Sequence, residues 1–582
     1  MASGARSIRE SIMNIGVMDD REMRLPLSAA QLGVWFAQKI DPANPIYNIS
    51  QSIEIHGPVD PSLFNAAVTQ AVIDTEAYRV RFIEEIDGPR QVVDPASELS
   101  ISLLDVSGEL DPQAAAEAWM RADLASPVDL LRGPLFFFAL FKAAPARFFW
   151  YQRSHHTVVD AFGRALFNRR VADIYAALVN KLPCSENPFG SLAVLLEEDS
   201  SYRASERFAR DQRYWLECLA DWPEPVSLSG RPATNCSCFL RQSAHLPPSS
   251  AEMLRSVAHR ARAGLPHFMV AATALYLHRL TSARDLVLGL PVTGRLGAVS
   301  RRTPGMLSNV LPLRLTVHSG TSVSELIEQV AAQIRRGLLH QRYRTEDLNR
   351  DLGLLAHDQK LFGTSVNVMA FDHELIFAGH RTTTRNLSNG PVEGLSIVVY
   401  DRSNSDELGI DFDANPALYS ADELANHQQR FLRLLEAIAA NPGQQIGRLE
   451  LLEPEERRQI LVDWNDTSCE VPLITLPALF EAQVKRSPEA TALIFGESIL
   501  TYAQLNARAN RLAHFLMSEG IGPEDLLALA LPRSGEMVIC LLAILKSGAA
   551  YLPLDPDYPA ERLAYMLQNA QPRCVLTTPS LT

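Results

Sequence analysis

The 582-residue sequence has no uninterrupted apolar run of the roughly 18 residues that a membrane-spanning helix needs. Its first segment, Met1–Arg24, is charged throughout and lacks the apolar stretch of a secretory signal; residues 1–21 read as a flexible tail. Positive charge is short, with 54 Lys and Arg against 67 Asp and Glu, a net charge of −13. That balance argues against a nucleic-acid partner and against an anionic membrane surface. Cysteine is sparse: seven are scattered along the chain, and Cys236 and Cys238 form the only close pair. No second pair or His pair flanks them, so neither a disulfide framework nor a structural zinc site is expected, and a reducing cytoplasm is.

The chain is too long for one ordinary domain. Its 47% apolar and 21% charged content describes a soluble globular protein with several cores. Asp60-Pro61 is an N-cap followed by Pro at the first helical position, and predicts a helix to about Thr75. Strands are predicted at Arg79–Ile86, Leu135–Phe141, Arg147–Tyr151, Leu286–Leu290, Leu311–Val317, Thr364–Phe371, Ser396–Asp401 and Leu408–Phe412. Helical spacing marks Phe162–Leu178, Ser205–Leu219, Pro266–Leu280, Val323–Leu339 and Ala421–Ala440. This α/β pattern occurs twice and suggests two lobes, 22–185 and 186–445. Residues 446–474, with the charged run Glu453–Arg458, read as a linker. From 475 to 582 a new helix–strand alternation suggests a parallel α/β sheet.

The most informative segment is Tyr151-Gln152-Arg153-Ser154-His155-His156-Thr157-Val158-Val159-Asp160-Ala161, where an apolar strand gives way to a helix. Alternation on a strand sends His155 and His156 to opposite faces, so one of them faces any given cavity. Structural histidines and general acid–base work by one His are both open readings. Metal binding is disfavoured, because opposed neighbours cannot share an ion and no further ligands are near. A Ser154 nucleophile is disfavoured too, since no G-x-S-x-G elbow presents it.

That segment resembles the H-H-x-x-x-D-G signature of condensation domains of non-ribosomal peptide synthetases, in the chloramphenicol-acetyltransferase superfamily. Leu27–Trp35, Glu76–Phe82, Gly305–Leu313 and His340-Gln341-Arg342-Tyr343 resemble other condensation motifs in the same order. Leu500–Asn506 and Leu545–Pro556 are similar to the first two core motifs of an adenylation domain. The resemblance implies two chloramphenicol-acetyltransferase-like lobes in a V. A truncated adenylate-forming subdomain follows, ending before its phosphate loop and expected to be inactive. Gly33, the run Trp150-Tyr151-Gln152-Arg153 and Asn309–Leu313 resemble module-opening domains of the enterobactin-synthase type, which take an aryl group from a separate carrier.

The implied reaction joins an acyl thioester on an upstream acyl or aryl carrier to an aminoacyl thioester on a downstream peptidyl carrier. The 4′-phosphopantetheine arms belong to those carriers, and no cofactor or metal of the chain's own is expected. His156 is the expected proton acceptor. Asp160 is expected to hold the architecture through a charge pair with Arg79, or with Arg81. His155 is assigned to structure, and Ser28, Asn309 and Ala161 are candidate tunnel-lining residues. Ala161 stands where the family has Gly, so its methyl either narrows the tunnel or is tolerated. An epimerisation domain is the rival reading, though such a domain normally follows a carrier rather than preceding an adenylation unit. A non-catalytic docking domain of the same fold is a second rival, opposed by the intact His156 and Asp160. Heterocyclisation would need an aspartate motif that is not seen.

Overall fold

The computed structural model describes residues 24–95, 100–231, 236–354, 359–369, 375–401 and 407–579. The expected tail at 1–21 and the end of the expected strand at Phe371 lie outside them. The chain divides into two compact units, Met1–Glu453 and Pro454–Thr582. Ile446, Leu449 and Leu451 are buried in a core of the first unit, so the start of the stretch read as linker is packed there.

In the first unit the strands are β1 (Arg24–Pro26), β2 (Asn48–Ile55), β3 (Val80–Glu85), β4 (Gly88–Val93), β5 (Ser102–Asp105), β6 (Phe136–Ala144) and β7 (Arg147–His155). They continue as β8 (Leu240–Leu246), β9 (Asp285–Val292), β10 (Asn309–Thr316), β11 (Thr364–Met369), β12 (Ile376–Phe377), β13 (His380–Ser388), β14 (Leu395–Asp401) and β15 (Leu408–Ala414). One six-stranded sheet has the order β12-β13-β2-β7-β6-β5, and a second has β10-β9-β11-β14-β15-β8. A small sheet, β1-β4-β3, stands beside them.

Both faces of β6 and β7 are covered, which explains their near-continuous apolar runs. Along β7, Phe148 and Trp150 point into a core with the helices Pro61–Asp74 and Ala161–Val179. Phe149 and Tyr151 point the other way, against Ala116 and Met120 of the helix Pro112–Leu124. The second sheet is backed by amphipathic helices. In Val323–Leu339 the buried residues Val323, Leu326, Ile327, Val330, Ala331 and Ile334 follow helical spacing. Ser322 and Glu325 cap its start reciprocally. Each large apolar side chain buried this way contributes about 1.5–3 kcal/mol.

The second sheet's sequence also lends strands to the first. β13 pairs antiparallel with β2, Thr382 opposite Ile55 and Ser388 opposite Ser50, with a register shift between Asn386 and Ser388. Neither β2 nor β13 was among the strands read from the sequence.

In the second unit, β16 (Thr491–Phe495) and β17 (Ser498–Thr501) form an antiparallel pair. β18 (Leu526–Leu529) is flanked by β19 (Ala550–Pro553) and β20 (Cys574–Leu576), both parallel to it. Gly548, at φ +85°, turns the chain from the helix Gly535–Lys546 into β19, in a conformation that favours glycine.

Candidate active site

β7 ends at His155, opposite Asn48 of β2. The His155 ring is buried and both its nitrogens are occupied. Gln38 donates its amide N–H groups to the carbonyls of Asp41 and Asn44, so its Oε1 faces His155 Nε2, at 2.9 Å. His155 Nε2 must therefore carry the proton. Nδ1 accepts from the Thr157 hydroxyl at 2.8 Å and from its N–H at 3.3 Å. Burial, then the neighbouring His156 and Arg153, pushes the His155 pKa down to about 3.

His156 has the opposite tautomer. Its N–H donates to the Tyr47 carbonyl at 2.9 Å, which sets the backbone. Nδ1 lies 3.2 Å from the Val159 carbonyl, an acceptor only, so Nδ1 is protonated and the Nε2 lone pair has no partner among the described residues. Burial depresses the pKa below the ordinary histidine value, outweighing the opposing influence of Asp160 and of the Val159 hydrogen bond. His156 is therefore neutral at pH 7, the state a base needs. Gly390, at φ +98°, lies against the ring: a Cβ there would stand 3.1 Å from His156 Cδ2 and 3.8 Å from Nε2.

Asp160 caps the helix Ala161–Val179, accepting from Gly163 N–H at 2.8 Å. Its other oxygen accepts from Arg295 Nη1 at 2.6 Å and from the N–H groups of Leu307 and Ser308, both at 3.0 Å. Arg295 Nη2 donates to the Gly305 carbonyl at 3.1 Å, and its guanidinium lies over the Phe162 ring. Burial alone raises the Asp160 carboxyl, but Arg295 and these donors hold it below the ordinary carboxylate range. The arginine expected to pair with Asp160 is thus not the one found. Arg79 donates instead to the Asp94 carbonyl at 2.6 Å, and Arg81 pairs with the Asp94 carboxylate at 2.9 Å. Both belong to the β3–β4 region, away from the Asp160 carboxylate. Arg295 follows β9 after a turn at Gly294, and no spacing in the sequence ties it to Asp160.

A cavity of about 890 Å³ opens between the two sheets. Ile46, Asn48 and Ser388 line one end of it, and they adjoin the Tyr47 and Gly390 segments that flank His156. Arg241, Tyr400 and Asp411 line the wall from the second sheet. A smaller cavity of about 60 Å³ is lined by Ser28, Met306, Leu307 and Arg344. Ser28 also caps the helix Ala29–Ile40. Asn309 and Ala161 line neither cavity. The Asn309 amide is occupied by the carbonyls of Gln341 and Tyr343 and by the Val310 and Thr345 N–H groups. Ala161 opens its helix outside the left-handed region and packs against Met369, Val398 and Tyr400. The close approach that needs glycine falls at Gly163, where a Cβ would stand 2.9 Å from Gly305 N.

The segments that leave the two sheets meet at the Asp160–Arg295 pair, four residues from a histidine whose Nε2 is placed to act as a base. Comparison with known proteins makes this particular. Residues 21–461 match the condensation-domain family, and residues 480–582 match the AMP-binding enzymes. The chain belongs to the condensation domains of non-ribosomal peptide synthetases, followed by the N-terminal part of an AMP-binding region. It is 48% identical over 560 residues to a dimodular nonribosomal peptide synthase of Bacillus subtilis, covering 96% of this chain and 24% of that protein. It is 34% identical to enterobactin synthase component F of Escherichia coli, covering 95% of this chain and 43% of that one. It thus spans less than half of these relatives.

Among solved structures, a variant of the starter condensation domain of rhizomide synthetase, in complex with C8-CoA, aligns with TM-score 0.71 at 44% identity. That alignment covers 77% of this chain and all of that one. The first condensation domain of the calcium-dependent antibiotic synthetase aligns with TM-score 0.70 at 36% identity, covering 74% and 99%.

Proposed function

We propose that this chain joins an acyl thioester, aryl or alkyl, from an upstream carrier to the amine of an aminoacyl thioester on a downstream carrier. The phosphopantetheine arms of both carriers reach His156. The observation that carries this reading is the open Nε2 of a neutral His156: the ring itself lines neither cavity, but its neighbours Tyr47 and Gly390 adjoin Ile46, Asn48 and Ser388, which line one large enough for a tethered substrate. Pockets of 300–1,000 Å³ are the usual size for a small ligand. Asn48, which lines the cavity, keeps its Oδ1 buried without a hydrogen-bond partner.

The free α-amine has a pKa of about 8, so part of it is neutral at pH 7 and can attack unaided. Attack on the acyl carbon gives a tetrahedral adduct with a positive nitrogen. His156 Nε2 takes a proton from that nitrogen, the C–S bond breaks, and the proton passes to the departing thiolate. His155 cannot do this, because neither of its nitrogens has a free lone pair. Asp160 and Arg295 hold the segments around the site together.

The test is intact-mass analysis of the downstream carrier after mixing with loaded carriers. His156→Ala is expected to slow amide formation about 10²–10⁴-fold while the circular dichroism spectrum and unfolding midpoint stay those of the native chain. Full product formation by the folded variant would remove His156 from the reaction. No product from the native chain would favour a docking role.

A further inference from the structure

We propose that Arg241 is a positioning residue for His156, acting across the cavity through Asn386, Asn389 and Gly390. This rests on the amide-forming role of His156.

Arg241 projects from β8, the edge strand of the second sheet. Its Nε and Nη2 donate to the two carboxylate oxygens of Asp413, at 2.6 and 2.7 Å. Asp411 lies 3.5 Å from Nε. Asp413 is 1% exposed, and two parallel N–H donations fix the guanidinium on it, while Arg241 itself still lines the cavity. The remaining nitrogen, Nη1, crosses to the other sheet and donates to the Asn386 carbonyl at 2.7 Å.

Asn386 sits at the register shift of β13, where a bulge re-aims the backbone. Its side chain donates to Asn389 Oδ1 at 2.8 Å. Gly390 N–H donates to Ser388 Oγ at 3.2 Å, and Gly390 then meets the edge of the His156 ring that carries Cδ2 and Nε2. The ring's other nitrogen is tied to Val159. The lack of a side chain at Gly390 leaves room for the ring edge that carries Cδ2 and Nε2, and the position of the Gly390 backbone sets how much room there is on the side where the proton is taken. The chain of contacts from Asp413 to Gly390 makes that position depend on the second sheet.

A merely structural ion pair would lower stability without selectively lowering turnover at saturating substrate. The variants are Asn386→Ala, which breaks the side-chain link and leaves the Arg241–Asp413 pair intact, Arg241→Met, and the double variant. The probes are C8-CoA as donor and Leu-SNAC as acceptor, with product measured by mass. We expect Asn386→Ala to lower kcat about tenfold, since small misplacements at a reacting group are costly, with both KM values within about twofold of native. The double variant is expected to lose no more than Arg241→Met alone, as members of one relay are not additive.

A second readout needs no turnover: the ¹³Cδ2 resonance of His156 in ¹³C-histidine-labelled chain, assigned by its loss in His156→Asn. Asn386→Ala and Arg241→Met should both shift it. Native kcat in folded Asn386→Ala, or an unmoved resonance in both variants, would overturn the relay. A native chain that forms no amide from these probes counts against the proposed reaction, and the resonance then decides the relay by itself.

Discussion

His155 and His156 are chemically identical neighbours with different tautomers, because one ring meets an amide oxygen and a hydroxyl while the other meets a carbonyl. The pair was legible from the motif. The tautomers were not, since Gln38 lies 117 residues away. Ala161 illustrates the same limit. Read in sequence, it is a missing glycine with a methyl that narrows a tunnel or is tolerated. In place, the methyl packs on Met369, Val398 and Tyr400 at a helix start. Ala161→Gly is therefore expected to leave the condensation rate within about twofold and to reduce stability by about 0.4–1 kcal/mol, from the freer unfolded chain. Denaturant midpoints and amide-formation rates measured together check this. A severalfold faster variant would show that the methyl does crowd a substrate.

The helix Ala161–Val179 and the segment 293–308 meet at one carboxylate. Asp160 accepts from one unpaired N–H of the helix start, that of Gly163, and simultaneously from Arg295, Leu307 and Ser308. Asp160 and Arg295 have side-chain exposures of 2% and 1%. Removing one partner of such a pair strands the other in a medium that cannot solvate it. Asp160→Ala should therefore cost about 3–5 kcal/mol and also lower activity, read from urea unfolding and amide formation. An unchanged midpoint would mean that the pair is solvated. The helix was readable from its spacing, while the capping role of Asp160 was not among the readings. The partner was misread as Arg79, because long-range ion pairs leave no spacing in the chain. β13 escaped for a related reason: its alternation His380–Ser388 is polar, and it is a strand only because β2 offers it a partner.

Across the first unit the buried histidines make folding pH-dependent. His155 and His156 both have folded pKa values below their unfolded value, so unfolding at acid pH takes up protons. Their contribution is fully present above about pH 6.5. It is lost as pH falls from there, for His155 down to about 3. Asp160, also depressed, adds a loss in the same direction below its unfolded value of about 3.9. The urea midpoint of the first unit's transition should fall steadily from pH 6.5 to pH 4, with an uptake of up to about two protons from the pair. A flat profile over that range would show that the histidines are not held neutral by the fold.

The α/β class, the longest helices of the first unit, the His pair and the two motif sets were determined by the amino-acid order alone. Each is encoded locally, in caps, periodicity or contiguous residues, and local signals survive without a partner. The tertiary structure decided that Asp160 meets Arg295, that β13 crosses to pair with β2, that Gly163 carries the close approach, and that Arg241 reaches Asn386. These are contacts between segments distant in sequence. Their energy comes from burial and hydrogen bonding that exist only once two separately encoded surfaces have met.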